Sequence, residues 1–385
     1  MISILPSIDK KSYDNCRNLC ESHRIFMTIR KNQLSKTGFF GILLSGVESI
    51  FIMYRYGVNM RGSHRVILET EHLKYDFTIK RNITVILGDS ATGKTTLVDN
   101  LNNYALRGKA SGIKFESDVP CYVFGGIAVS WKATLESIKR SIIFIDEGYD
   151  FIFSKDFAEF VKEADNYFVL ITRQPLYYLP YSTKEIYGIR TSGKFNFPDK
   201  VYHEFYPVYP EEDNAFFDDN AVLITEDNCS GYEFFSGALS NVKCISSEGN
   251  SKIIPTLSTI KGNQLALVIA DGAAFGAYIE NLLMVIDIRG NTALYLPESF
   301  EWLILKSGVL KSKAIIDILE KPEDYIESSE FFSWENFFTY LLEKNTVKDR
   351  VYRYSKGKLS SGYLTEYSKK AILSVIPEEI RRMLK

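Results

Sequence analysis

The sequence predicts an α/β protein with two α/β domains in series, and three observations carry that reading. From Arg65 onward, short apolar runs alternate with windows of helical spacing. One of those runs, residues 82–87 (NITVIL), leads into Gly88-Asp89-Ser90-Ala91-Thr92-Gly93-Lys94-Thr95 and then into a helical window. A second alternation begins after an aromatic, proline-containing stretch at 195–217. Strands alternating with helices imply a mostly parallel sheet covered by helices on both faces.

Taken in order, residues 65–70 and 75–79 read as entry strands and 82–87 as a buried strand. A helix follows over 94–106, a strand over 119–124 and a short helix over 131–139. Next come a strand at 141–145 (SIIFI), a helix near 155–164 and a strand at 167–172. Residues 195–217 read as the domain junction. Beyond it, strands are expected at 221–225, 242–246, 265–270, 284–288 and 292–296, with helices near 231–239, 253–260 and 274–283. The resulting division is an N-terminal extension (1–62), a first domain (63–200), a second domain (215–310) and a helical tail (311–385).

Composition narrows the class. The chain has 385 residues, enough for two or three domains of ordinary size. A net charge of -2 excludes a uniformly basic nucleic-acid binder, though not a local basic groove. Five cysteines, an odd number, argue against a disulfide framework. Cys16, Cys20 and His23 lack a fourth ligand at zinc-site spacing and read as free groups on a helix. Residues 1–30 show no apolar core with a small-residue cleavage pattern, so the cytoplasm is the expected compartment. Gly38 to Val58 imitates a membrane span but carries Glu48 at its middle, so a buried strand pair or helix is expected and no membrane partner.

The run from Gly88 to Thr95 matches G-x4-G-K-[ST] without deviation, and it sits between a strand and a helix as the motif requires. Glycines let the backbone N–H groups turn toward a polyphosphate. Lys94 is expected to reach the β- and γ-phosphates, and the Thr95 hydroxyl to ligate Mg²⁺; Thr96 continues the first helical turn. These residues make ATP and Mg²⁺ the expected ligands. The strand 141–145 ends in Asp146-Glu147. Asp146 would hold the magnesium and Glu147 would polarise the attacking water; the plainer alternative is an acidic strand end that caps the next helix. The strand 167–172 ends in Thr172-Arg173-Gln174, where Thr172 would sense phosphate or orient water and Arg173 would stabilise transition-state charge.

On those motifs the first domain resembles P-loop ATPases with a second acidic residue after the magnesium-binding aspartate. The entry strands and GDSATGKTTL are similar to the ABC-type heads of the RecF and OLD proteins. No LSGGQ-like segment lies between Lys94 and Asp146, which argues against ABC-style closure across a signature motif and leaves other homo-oligomers open.

The second series resembles the Toprim domain of topoisomerases, primases and OLD-family nucleases, with a plain Rossmann-like domain as the alternative. Glu226 follows its first strand, and Asp271-Gly-Ala273-Ala-Phe-Gly276 follows its third. The resemblance implies that Glu226 and Asp271 hold a catalytic metal. Ala273 stands where the family has a second Asp, and Asp287, with Glu298 and Glu301 behind it, is the expected substitute. Toward the C-terminus, Lys344, Lys348, Arg350, Arg353, Lys356 and Lys358 interleave with Tyr352 and Tyr354. They would track a phosphate backbone or simply solvate a helical face. The leading expectation is ATP-driven action on DNA or RNA in the OLD manner, with a metal-dependent nuclease. The alternative is an ATP-dependent switch whose second domain binds a partner without catalysis.

Overall fold

A computed structural model describes residues 59–88, 93–191, 200–209 and 221–384, together with two short strands near the N-terminus. Residues 89–92 of the glycine-rich loop, the Cys16, Cys20 and His23 group and nearly all of Gly38–Val58 lie outside the described residues. The chain divides into two compact units, Met1–Val58 and Asn59–Lys385. In the first, β1 (Met27–Thr28) pairs antiparallel with β2 (Leu43–Leu44).

The second unit begins with β3 (His64–Glu69), β4 (Leu73–Ile79) and β5 (Ile83–Ile86), followed by α1 (Lys94–Arg107). It continues through β6 (Lys114–Ser117), β7 (Cys121–Val123), α2 (Trp131–Glu136), β8 (Ile142–Ile145), α3 (Lys155–Glu163) and β9 (Tyr167–Ile171). Two further strands, β10 (Ile186–Thr191) and β11 (Val201–Pro207), complete a nine-stranded sheet of order β6-β3-β4-β11-β10-β5-β9-β8-β7. From β10 to β7 every pairing is parallel, whereas β3 pairs antiparallel with both β4 and β6. All residues of β5, β8 and β9 are buried, because central parallel strands are covered on both faces. β11 draws part of the expected junction, 201–207, into the first sheet, pairing antiparallel with β10 and parallel with β4.

The second sheet holds β12 (Val222–Thr225), β13 (Lys243–Ser246), β14 (Ala266–Ile269) and β15 (Thr292–Tyr295) in the order β13-β12-β14-β15, all parallel. Crossovers run through α4 (Ser230–Ala238), α5 (Ile253–Ser258) and α6 (Ile279–Arg289). The strand expected at 284–288 is instead the second half of α6. A short apolar run such as MVIDI carries no decisive period of its own. Buried Ile279, Leu282 and Ile286 trace one helical face, while Met284 and Ile288 are exposed. Arg289 ends the helix by donating to the carbonyls of Ile260, Lys261 and Gln264, and Gly290 caps it at φ 68°.

The expected tail comprises α7 (Phe300–Lys306), α8 (Lys313–Glu320), α9 (Trp334–Thr346), α10 (Glu366–Leu373) and α11 (Glu378–Arg382). It covers one face of the second sheet, where Leu223, Leu267 and Ala293 pack with Phe338, Leu342 and Tyr363. The other face joins the first domain: Val222, Ile224 and Val268 share a core with Leu176, Leu179, Tyr181, Val85 and Leu170. Gly276 lies in that junction. A Cβ there would stand 2.3 Å from the Tyr181 ring, so only glycine allows the approach.

Candidate functional site

The glycine-rich loop leaves β5 at Gly88, whose φ of 132° suits glycine, and re-enters regular structure at Gly93, φ 97°. Gly93 is boxed in. A Cβ would meet the Tyr75 hydroxyl at 2.9 Å and His203 Cε1 at 3.0 Å. The Tyr75 hydroxyl donates to the Gly93 carbonyl at 2.7 Å, and its ring stacks on His203 with centroids 4.6 Å apart. Burial pushes the Tyr75 phenol up to about 12 against a lowering contact with Thr96, and burial holds His203 below the usual histidine range. A neutral phenol and imidazole thus pin the N-terminus of α1, whose positive dipole end favours an anion.

Lys94 opens α1 with 6% of its surface exposed, and its Nζ donates to the Gly88 carbonyl at 2.5 Å. The ammonium therefore ties the first residue of α1 to Gly88. Thr95 and Thr96 are exposed in the first helical turn. β9 separates β5 from β8, with Ile86 opposite Ile171 and Leu170 opposite Ile145. Adjacent strands are about 4.8 Å apart, so Gly88, Thr172 and Asp146 emerge side by side from one sheet edge. Magnesium takes one or two protein oxygens beside substrate phosphates. Exposed Thr95 and half-buried Asp146 are donors of that chemistry.

Asp146 accepts the Glu147 N–H at 2.8 Å, and the Glu147 carboxylate meets Arg173 Nε at 3.0 Å on the exposed rim. Thr172 directly follows β9. It is buried, and its hydroxyl is engaged with the backbone N–H and carbonyl of Gln174, closing a local turn.

At the second sheet, Glu226 and Asp271 leave adjacent strands, and Glu226 Oε2 accepts the Asp271 N–H at 3.1 Å. Asp271 Oδ1 in turn accepts the Phe300 N–H at 3.1 Å. Glu301 joins them from α7, accepting from the Tyr354 hydroxyl at 2.7 Å. Glu335, at the start of α9, receives Lys356 Nζ at 2.5 Å. Burial, then the charges of Glu335, Glu226 and Glu301, lifts Asp271 well above the carboxylate range. Burial opposes the Lys356 ammonium, but Glu335, Glu301 and Asp271 outweigh it and hold the lysine charged.

The other expected ligands are elsewhere. Asp287 sits on the exposed face of α6, not at a strand end. Glu298 is bound by Arg81 at 2.9 Å on both oxygens, and Lys184 approaches to 3.5 Å. Ala273 packs in the apolar core, so an aspartate there would be buried without a partner. Among the described residues, no three His, Cys, Asp or Glu side chains are grouped to hold a metal ion. The metal implied by the Toprim resemblance does not fit this cluster.

Burial first, then the Glu335 charge, raises Glu226 to about 7, while the Asp271 N–H and Lys356 pull the other way. The unfolded chain ionises this residue nearer 4.5, so its contribution to stability should fall as pH rises from about 4.5 to about 7. Glu226→Gln keeps an acceptor for the Asp271 N–H and removes the ionisation. Melting temperatures across that range should fall less steeply in the variant, and parallel curves would refute the assignment.

Arg81, Tyr75, His203 and Lys356 are the structural partners that sequence reading did not single out for these roles. The basic segment named Lys356, but nothing local marks it as a partner of Glu335. No protein-family model matches the chain, and no curated protein matches it significantly. Among the described residues, no helix is long and apolar enough to cross a membrane.

Proposed function

We propose that the chain is an ATP-binding and ATP-hydrolysing P-loop protein that works as a nucleotide-dependent switch, its second α/β domain serving a partner without cleaving nucleic acid. The observation that carries the reading is the buried Lys94 bridging to Gly88 at the head of α1, beside the strand ends that bear Asp146 and Glu147. Lys94 and the N-terminal N–H groups of α1 would bind the polyphosphate. Thr95 and Asp146 would hold magnesium, whose charge offsets that of the phosphates. Glu147 would orient and deprotonate water, held at the rim by Arg173. The shared core under Leu176, Leu179 and Tyr181 supports the coupling a switch needs.

Lys94→Ala tests the binding step. Losing a charge-assisted contact of about 1.5–3 kcal/mol should weaken ATP binding about 10- to 100-fold by calorimetry. ATP affinity equal to that of the parent would sink the reading.

A second reading, ATP-driven action on DNA or RNA, is favoured by the exposure of Lys344, Lys348, Arg350, Arg353 and Lys358 over one short stretch. Binding to a mixed-sequence oligonucleotide that weakens steeply with salt would support it.

A further inference from the structure

The carboxylate cluster of the second domain has an internal counter-ion. Glu226 and Asp271 reach it from adjacent strand ends, Glu301 from the first turn of α7 and Glu335 from the first turn of α9. Into it comes Lys356, from the connection between α9 and α10, with its Nζ 2.5 Å from Glu335 Oε1. One oxygen of each other carboxylate takes a fixed donor: the Asp271 N–H on Glu226, the Phe300 N–H on Asp271 and the Tyr354 hydroxyl on Glu301. Glu301, 1% exposed, leaves only Oε2 without a hydrogen-bond partner.

A divalent ion of the magnesium type demands a near-octahedral set of oxygens. Here an ammonium, two backbone N–H groups and a hydroxyl each hold one carboxylate oxygen in a fixed direction, which an octahedral ion would have to displace or avoid. The lysine is a compact point charge with three donors, which lets it stand in for a cation here.

We propose that Lys356 supplies, from within the chain, the positive charge that a nuclease domain of this kind would take from a metal, so that the parent protein binds no divalent ion at Glu226 and Asp271. This deepens the non-nuclease half of the function proposed above and is independent of its ATP half. The Lys356 side chain is 42% exposed, so it forms the outer wall of the cluster, and its loss removes charge more than packing. Without it, Glu226 and Asp271 on their adjacent strand ends, with the charges of Glu301 and Glu335 acting on Asp271, lose their nearby cation, and a divalent ion held by Glu226 becomes the available remedy.

The test is Mn²⁺ titration without nucleotide, followed by calorimetry and by the EPR signal of free Mn²⁺. The parent and Lys356→Arg should show no uptake that depends on Glu226. Lys356→Ala should bind Mn²⁺ at least tenfold more tightly than the parent, and adding Glu226→Gln should abolish the gain. Lys356→Met, which retains the aliphatic stem, serves if the alanine variant does not fold. Mn²⁺ uptake by the parent that Glu226→Gln or Asp271→Asn removes would overturn the proposal. So would folded Lys356→Ala and Lys356→Met proteins that both bind no Mn²⁺. Because nucleotide is absent, none of these outcomes bears on the Lys94→Ala result.

Discussion

Replacing Arg81 with leucine should destabilise the protein by about 3–5 kcal/mol, the usual consequence of stripping one partner from a buried ion pair. Arg81 precedes β5 and grips Glu298 with both terminal nitrogens at 2.9 Å. Its guanidinium lies 3.6 Å from the centre of the Trp334 ring. Its Nε is 3.4 Å from Glu185, within ion-pair distance but without hydrogen-bond alignment. The Arg81, Glu298 and Glu185 side chains are only 7%, 9% and 5% exposed. Without the arginine, Glu298 would keep only the more exposed Lys184. On a chain of this size the loss amounts to a fall of about 4–6 °C in melting temperature.

The pH dependence distinguishes this account from simple loss of packing. Burial would lift Glu298, but the charge and hydrogen bonds of Arg81, aided by Lys184, hold it below the ordinary 4.5. A depressed carboxyl contributes stability that is present above the unfolded value and lost as pH falls through the folded one. In Arg81→Leu the same carboxyl is buried alone, rises, and is relieved by protonation. The gap between parent and variant should therefore begin to narrow above about 4.5, as the variant's raised carboxyl takes its proton, and narrow further below 4.5 as the parent's depressed carboxyl is protonated; Arg81→Leu with Glu298→Leu should recover part of the loss. A gap under about 1 kcal/mol, or one that widens in acid, would contradict the pairing.

Much of the fold near the loop was legible because its signals are local. The central strands are apolar on both faces, so ITVI, IIFI and YFVLI stand out against their surroundings. The glycine-lysine step at 93–94 marks a loop end that admits no side chain beneath it. Signals that join distant segments were not legible. Arg81 and Glu298 are 217 residues apart, and neither sequence neighbourhood announces the other. Lys356 reads as one of several basic residues until α9 brings Glu335 against it. β10 and β11 were obscured because the tyrosines, phenylalanines and prolines around β11 resemble a junction, and only their pairing makes them strands. MVIDI shows the opposite error: its local apolarity imitated a strand, while the Arg289-Gly290 ending was the true sign of a helix.

Glu147→Gln should slow ATP hydrolysis about 10²- to 10⁴-fold, the range expected when a general base is removed. The argument rests on position. Glu147 follows β8 at the same sheet edge from which the loop leaves β5, and only β9 intervenes. Its carboxylate is at the exposed rim, 3.0 Å from Arg173 Nε, and Asp146 Oδ1 accepts its backbone N–H. Glutamine keeps the shape and an oxygen that can accept from Arg173, so the surface around the site should be preserved. What it lacks is basicity and negative charge. Mg-ATP affinity should therefore remain within a few-fold of the parent while turnover collapses, and the variant should accumulate unhydrolysed nucleotide. Lys94→Ala should show the reverse emphasis, with the larger effect in binding. Single-turnover hydrolysis on preloaded protein isolates the chemical step from nucleotide exchange. If that step proceeds within tenfold of the parent rate, Glu147 is not the base, and the acidic pair at the end of β8 would serve magnesium and the local turn alone.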